Sequence, residues 1–218
     1  MLLRQLQDLL AGIYDVPVEF DVRDFVTTDR RQLPEAVRDS GTDEQLLVQH
    51  RAGELAMSLF LDPALLARLE AADPIDALHG RNLGDFWTAL EGVSHFVCVA
   101  WNARHDRDVS VLELEMQAEI DKYVSSCWLM RRQSPQRFPI ELHPLLFTRT
   151  RIDPLLAGER VGLYRAATHY ASRFCGVMER RLRRRGSDQA AQAAVEPELR
   201  RFYRMPQRAK CEYIGQMA

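Results

Sequence analysis

The sequence predicts an α+β protein. A mainly antiparallel sheet of about four strands lies in the N-terminal half, backed by helices, and an all-helical C-terminal part with one long helix follows. Three observations carry this. Over Val18–Val22 and again over Leu55–Leu61 apolar residues recur with period two, the spacing that places them on one face of a strand. The run "VSHFVCVAW", Val93 to Trp101, is largely apolar and β-prone and is bounded by Gly92 and the polar "NARHDRD", as a buried strand would be. After Val109 the spacing turns helical and largely remains so.

Each element has its own justification. Leu3, Leu6, Leu9, Leu10 and Ile13 share one face of a first helix over about residues 2–13. In "VPVEFDVRDFV", Val18, Phe20 and Val22 alternate with Glu19, Asp21 and Arg23, which predicts a half-exposed strand. Residues 27–44 are polar, with Pro34 and Gly41, and predict an irregular connection with a short helix. "QLLVQHRAGELAMSLFLD" reads as a β-hairpin turning near Ala52 and Gly53. Asp62 followed by Pro63 is an N-cap with proline in the first turn, so a helix starts there. A short helix is expected over about 85–90, before the buried strand.

Ser110 and Glu113 have capping-box spacing, and Leu, Glu, Met, Gln and Ala are strong helix formers, so "VLELEMQAEIDKYV" opens a helix rather than a strand. The two prolines of "SPQRFP", residues 134–139, mark a boundary between an α+β domain, 1–133, and a helical region, 134–218. A short segment near 142–147 and a long helix over about 154–185 come next. Gly186 is placed to end that helix, and Ser187 and Asp188 to cap another. Pro197 is expected to kink or split the penultimate helix, and Pro206 to open the last.

Composition narrows the function classes. With 218 residues, 46% hydrophobic and 28% charged, the chain can bury a core without staples. No apolar run approaches the roughly 18 residues of a membrane span. "MLLRQLQDLLAGIYD" carries Arg4 and Asp8 and no cleavage site, so a cytoplasmic protein with no membrane partner is expected. Cys98, Cys127, Cys175 and Cys211 are too scattered for a zinc site or a disulfide framework, and no motif implies a metal or another cofactor.

Charge is unevenly spread. Residues 1–148 hold 24 acidic and 14 basic residues, and residues 149–218 hold 7 and 15. The halves are electrostatic opposites, which predicts an internal or subunit interface between them, or an acidic partner for the second. Among 29 basic residues only Lys122 and Lys210 are lysines.

Three groups of residues are candidates for chemistry. Glu115 and Glu119, one turn apart at the edge of an apolar arc, need a countercharge, and an arginine of the C-terminal half is expected there rather than a metal. Glu113 is assigned to the capping box and Asp121 to solvent. Arg165, His169, Arg173, Arg180 and Arg183 form a row on one face of the long helix, opposite Leu163, Ala167, Tyr170, Phe174, Val177 and Met178. Such a row suits phosphates, carboxylates or plain solvation. His105, Asp106 and Asp108 suggest a phosphohydrolase doublet that would need His95, Asp121 and His169 as well, but fit a polar turn. Ser94 lacks the second glycine of a nucleophile elbow, and no phosphate-cradling glycine loop is present.

The order helix, strand, hairpin, helix, strand over about residues 1–125 resembles in outline the small α+β chaperones of type III secretion, which implies a cytoplasmic role in binding another protein. The expected function is therefore a non-enzymatic interaction or regulatory protein, adaptor- or chaperone-like, that binds a protein partner or itself. The first alternative is nucleic-acid or phospholigand binding through the arginine-rich helix at 160–185. The second is a metal-dependent hydrolase using Glu115, Glu119 and the histidines.

Overall fold

The computed structural model describes residues 1–38, 41–51, 54–148, 158–184 and 188–217. They divide into two compact units, Met1–Ala11 with Val16–Asp108, and Gly12–Asp15 with Val109–Ala218. The units part at Asp108, one helix ahead of the break at 134–139 on which the sequence placed the boundary between 1–133 and 134–218.

The first unit begins with the residues up to Ala11 of α1 (Leu2–Tyr14), where Leu3, Leu6 and Leu10 are buried as their spacing requires. The helix closes on Asp15 in the left-handed region (φ 53°), and the Val16 N–H bonds to the Ala11 carbonyl. The strand predicted over 18–22 does not form. The Gln7 side-chain amide donates to the Phe20 carbonyl (2.7 Å) and accepts from the Val22 N–H (2.8 Å), groups that a neighbouring strand would otherwise bond. Asp21 then caps a 3-10 turn, Val22–Phe25, by accepting from the Arg23 N–H. Alternation predicted neither the backbone partner nor the burial, since Val22 is buried but Phe20 is 55% exposed.

What remains of a strand there is β1 (Val26–Thr27). A short helix, α2 (Glu35–Arg38), and the hairpin arms β2 (Glu44–Arg51) and β3 (Glu54–Leu61) follow. The hairpin is in register from Glu44 opposite Leu61 to Arg51 opposite Glu54, while Ala52 and Gly53 lie outside the described residues. β1 joins β3 in parallel, giving the order β1-β3-β2. The sheet among the described residues is thus three-stranded and mixed, not four-stranded and antiparallel.

Asp62 caps α3 (Pro63–Ala71) by accepting from the Ala64 N–H (2.8 Å), as predicted. The largest departure is α4 (Leu83–Ala103), which absorbs both the short helix expected over 85–90 and the "VSHFVCVAW" strand. Residues 92–98 are buried on every side, and a run with no polar face has no period with which to tell helix from strand. Gly92 is a packing residue rather than a breaker. A Cβ there would lie 2.7 Å from Leu59 Cδ1 and 2.8 Å from Glu44 Cγ, so its absence lets α4 approach the hairpin closely.

The second unit is helical: α5 (Val111–Gln133), α6 (Leu142–Phe147), α7 (Gly158–Arg184), α8 (Asp188–Tyr203) and α9 (Gln207–Gln216). Ser110 caps α5, its Oγ accepting from the Glu113 N–H (3.1 Å). Met116, Ile120, Tyr123 and Cys127 of α5 and Ala167, Ala171, Phe174 and Met178 of α7 are buried. Phe174 stacks on Phe202 of α8 with centroids 4.1 Å apart. Pro197 lies inside α8 without splitting it, and Pro206 opens α9 as expected. Gly186 and Ser187 lie outside the described residues, as does the Asp188 side chain. No described helix is long and apolar enough to cross a membrane.

Candidate functional site

The carboxylates of α5 do not behave as their spacing suggested. Glu119 finds its countercharge on its own helix, where the Lys122 ammonium donates to it at 2.7 Å, so the arginine expected opposite it is replaced by a lysine one turn away. Glu115 is buried on the same helix. Glu113 supplies its N–H to the Ser110 cap, but its carboxylate does not close a capping box. It accepts from the Lys210 ammonium of α9 at 2.8 Å, with side chains 3% and 1% exposed.

Lys210 anchors a buried chain of polar groups. It also donates to Gln117 Oε1 (3.3 Å), and Gln117 Nε2 donates to Asp121 Oδ1 (2.8 Å). The Tyr14 hydroxyl donates to the same Asp121 oxygen at 2.5 Å. Gln117 therefore turns its amide oxygen to the ammonium and its amide nitrogen to the carboxylate. Asp121, expected in solvent, is buried. The Lys210 ammonium lies 5.6 Å from the Phe202 ring and 5.5 Å from the Tyr203 ring, within cation–π range of both. Burial, and next the facing Asp121 carboxylate, push the Tyr14 hydroxyl well above the ordinary tyrosine range. Burial likewise pushes the Cys175 thiol of α7 well up.

The sequence contains the signal for this network. Lys210 and Ile214 sit four apart on α9 and both are buried, so a lysine occupies the apolar face of its helix. A compact ammonium suits that position better than the forked guanidinium that this chain uses almost everywhere else.

The row on α7 is where the wheel put it. Arg165, His169, Arg173, Arg180 and Arg183 are all exposed, and the opposite face holds the core of the unit. Arg173 donates to the Met217 carbonyl (3.1 Å), and Arg183 reaches Glu179 at 3.5 Å.

The candidates around residue 105 form a turn. The His105 ring bonds through Nδ1 to the Trp101 carbonyl (2.7 Å), and Asp106 takes a positive φ of 51°. His95 lies in the first unit with Nδ1 3.9 Å from a Glu44 carboxylate oxygen, whereas Asp121 and His169 belong to the second.

The feature missed entirely is the outer edge of the hairpin. The Asp62 N–H bonds to the Asp43 carbonyl (2.8 Å), which extends the β2–β3 register by one pair. In an antiparallel pair, residues alternate between facing the partner strand and facing away. Residues 45, 47, 49 and 51 therefore bond to β3, and residues 44, 46, 48 and 50 turn their N–H and C=O groups outward. The Glu44 carbonyl accepts from Thr42 Oγ1 (2.6 Å) and the Leu46 carbonyl from Gln45 Nε2 (3.2 Å), as outward groups would. Val48 and His50 continue this row where the hairpin is most exposed.

The same hairpin presents an apolar face. Leu46, Val48 and His50 stand opposite Leu59, Met57 and Leu55, on the side that Gly92 of α4 approaches. At the α4 end Leu59 is buried, but towards the tip Leu55 and Met57 are half-buried and Val48 is 47% exposed.

No family model, no curated protein and no solved structure matches this chain. The outline resemblance to type III secretion chaperones rested on element order, and that order changes once residues 18–22 and 93–101 are not strands.

Proposed function

We propose that this chain is a non-enzymatic cytoplasmic interaction protein, adaptor- or chaperone-like, which binds a protein partner along the β2–β3 hairpin. The observation that supports it is the outward row of backbone groups at Val48 and His50, beside an apolar face that extends past the helix covering its base. Adding an extended segment to such an edge takes affinity from main-chain hydrogen bonds and specificity from alternate side chains. Val48→Pro tests it directly. It removes one outward N–H and no bond between β2 and β3, and proline is tolerated on an edge with its nitrogen facing solvent. A partner that co-purifies stoichiometrically with the wild type and with Arg173→Glu, but is lost with Val48→Pro, supports the proposal. Undiminished capture by Val48→Pro overturns it.

A second reading rests on the exposed row of α7. Arg165, His169 and Arg173 recur every fourth residue, a spacing that suits a phosphate backbone. It predicts salt-sensitive retardation of DNA or RNA, weakened by replacing Arg165 and Arg173 with Glu. Unchanged mobility of nucleic acid at low salt removes it.

A further inference from the structure

We infer that the strand which completes the β2 edge comes from a second copy of this chain. In this arrangement β2 of one protomer pairs antiparallel with β2 of its partner about a two-fold axis through Val48, joining two three-stranded sheets. The inference rests on the hairpin being the docking element and names its occupant.

The two edges of the sheet are built differently. β1 is two residues long and is followed within four positions by Asp29, Arg30 and Arg31, which is how short, charged edges discourage pairing. β2 pairs with β3 over eight residues without a bulge, and its interior, "QLLVQH", holds neither proline nor any acidic, lysine or arginine side chain. An edge of that length and flatness is one that native proteins cover.

The self-pairing also has an allowed register. A two-fold axis perpendicular to the sheet keeps the apolar faces of both protomers on one side, so facing residues must both be even-numbered or both odd-numbered. Centring on Val48 brings the outward groups of Val48 against their own copies, and those of Leu46 against His50 of the other protomer. On the opposite face Gln45 meets Arg51 and Leu47 meets Gln49. No like charges oppose one another, and each Arg51 gains an amide acceptor. The Leu46 carbonyl must exchange only the 3.2 Å bond from the Gln45 side chain, whereas moving the register one step towards Glu44 would require the carbonyl that Thr42 Oγ1 holds at 2.6 Å. On the axis, the half-exposed Val48 side chains cover each other.

Sedimentation of the full chain over a wide concentration range tests this, read beside Val48→Pro and Val48→Glu. The wild type should approach twice 25.1 kDa as concentration rises. Val48→Pro removes both hydrogen bonds on the axis, and Val48→Glu sets two carboxylates opposite each other. Each variant should weaken dimerisation at least about tenfold. Val48→Glu retains every backbone donor, so it remains informative if proline disturbs the hairpin. A wild type that stays monomeric throughout, or a dimer that survives both substitutions, overturns self-pairing. A monomeric wild type leaves the hairpin reading standing, because that reading falls only if a captured partner stays bound to Val48→Pro.

Discussion

The two units place their polar groups in opposite ways. In the first, several ion pairs are open to water: Arg23 with Asp21, Arg31 with Asp29, Arg68 with Asp85. Its open interaction capacity is backbone, along β2. In the second, the ions most committed to the fold are inside, where Lys210, Glu113, Gln117, Asp121 and Tyr14 form a continuous chain. On the proposed reading, the difference teaches that the charge imbalance read from the sequence is a poor guide to where a partner docks. Among the described residues, Lys210, Glu113 and Asp121 serve the packing of the helical unit, and the interior of β2, the docking edge proposed above, is nearly uncharged.

The largest effect expected is on the buried pair. Lys210→Met leaves Glu113 buried without its countercharge and should destabilise the protein by about 3–5 kcal/mol in denaturant unfolding. Replacing Glu113 with Leu at the same time should recover much of that loss, since an apolar pair of similar volume avoids desolvating either ion. If the double variant is as unstable as the single one, the network acts through more than charge compensation.

Tyr14 sharpens the contrast through pH. Tyr14→Phe removes a hydrogen bond to a carboxylate and should cost about 1.5–3 kcal/mol near neutrality. The folded-state shift is upward, so the unfolded chain ionises first. Stability is intact below the ordinary tyrosine value of 10.0 and is lost as pH rises through the folded value. Cys175 contributes in the same direction from its ordinary 9.0. Alkaline unfolding curves should therefore steepen above about pH 9 to 10, less so in Tyr14→Phe. An identical alkaline slope in both proteins would show that the Tyr14 hydroxyl is not shielded as described.

In the first unit, Gly92→Ala probes the close approach of α4 to the hairpin. The added methyl must displace Leu59 or Glu44, both tightly placed, and a loss of about 1–3 kcal/mol is expected. A neutral or stabilising result would mean that the helix and hairpin can separate freely.

What was legible in the sequence followed from how local each signal is. The Ser110 and Asp62 caps, the β2–β3 hairpin and the core face of α7 depend on neighbours within a few positions, and each was visible. The Val93–Trp101 helix was not, because burial on all sides erases the periodicity that separates helix from strand. The 18–22 segment failed for a different reason, since its backbone partner is the side chain of Gln7. For the site, the α7 row was found as a row, whereas Glu113 and Asp121 were misplaced because their partners lie 97 and 107 residues away. Distant partners leave no local trace, apart from the oddity of a lysine on an apolar helix face.

The smallest effect expected is also the sharpest test of the comparison. Arg68 of α3 reaches Asp85 of α4 with two hydrogen bonds, at 2.9 and 2.8 Å, yet the side chains are 49% and 25% exposed. Water screens the pair and solvates either partner when the other is removed. A double-mutant cycle with Arg68→Ala and Asp85→Ala should therefore give a coupling of about 0.5–1 kcal/mol that shrinks in high salt. The same cycle on Lys210 and Glu113 should give a larger coupling that salt hardly changes, because no ions reach it. Similar coupling at both sites, with similar salt dependence, would mean that burial does not separate the two units as argued, and that geometry alone sets what each pair contributes.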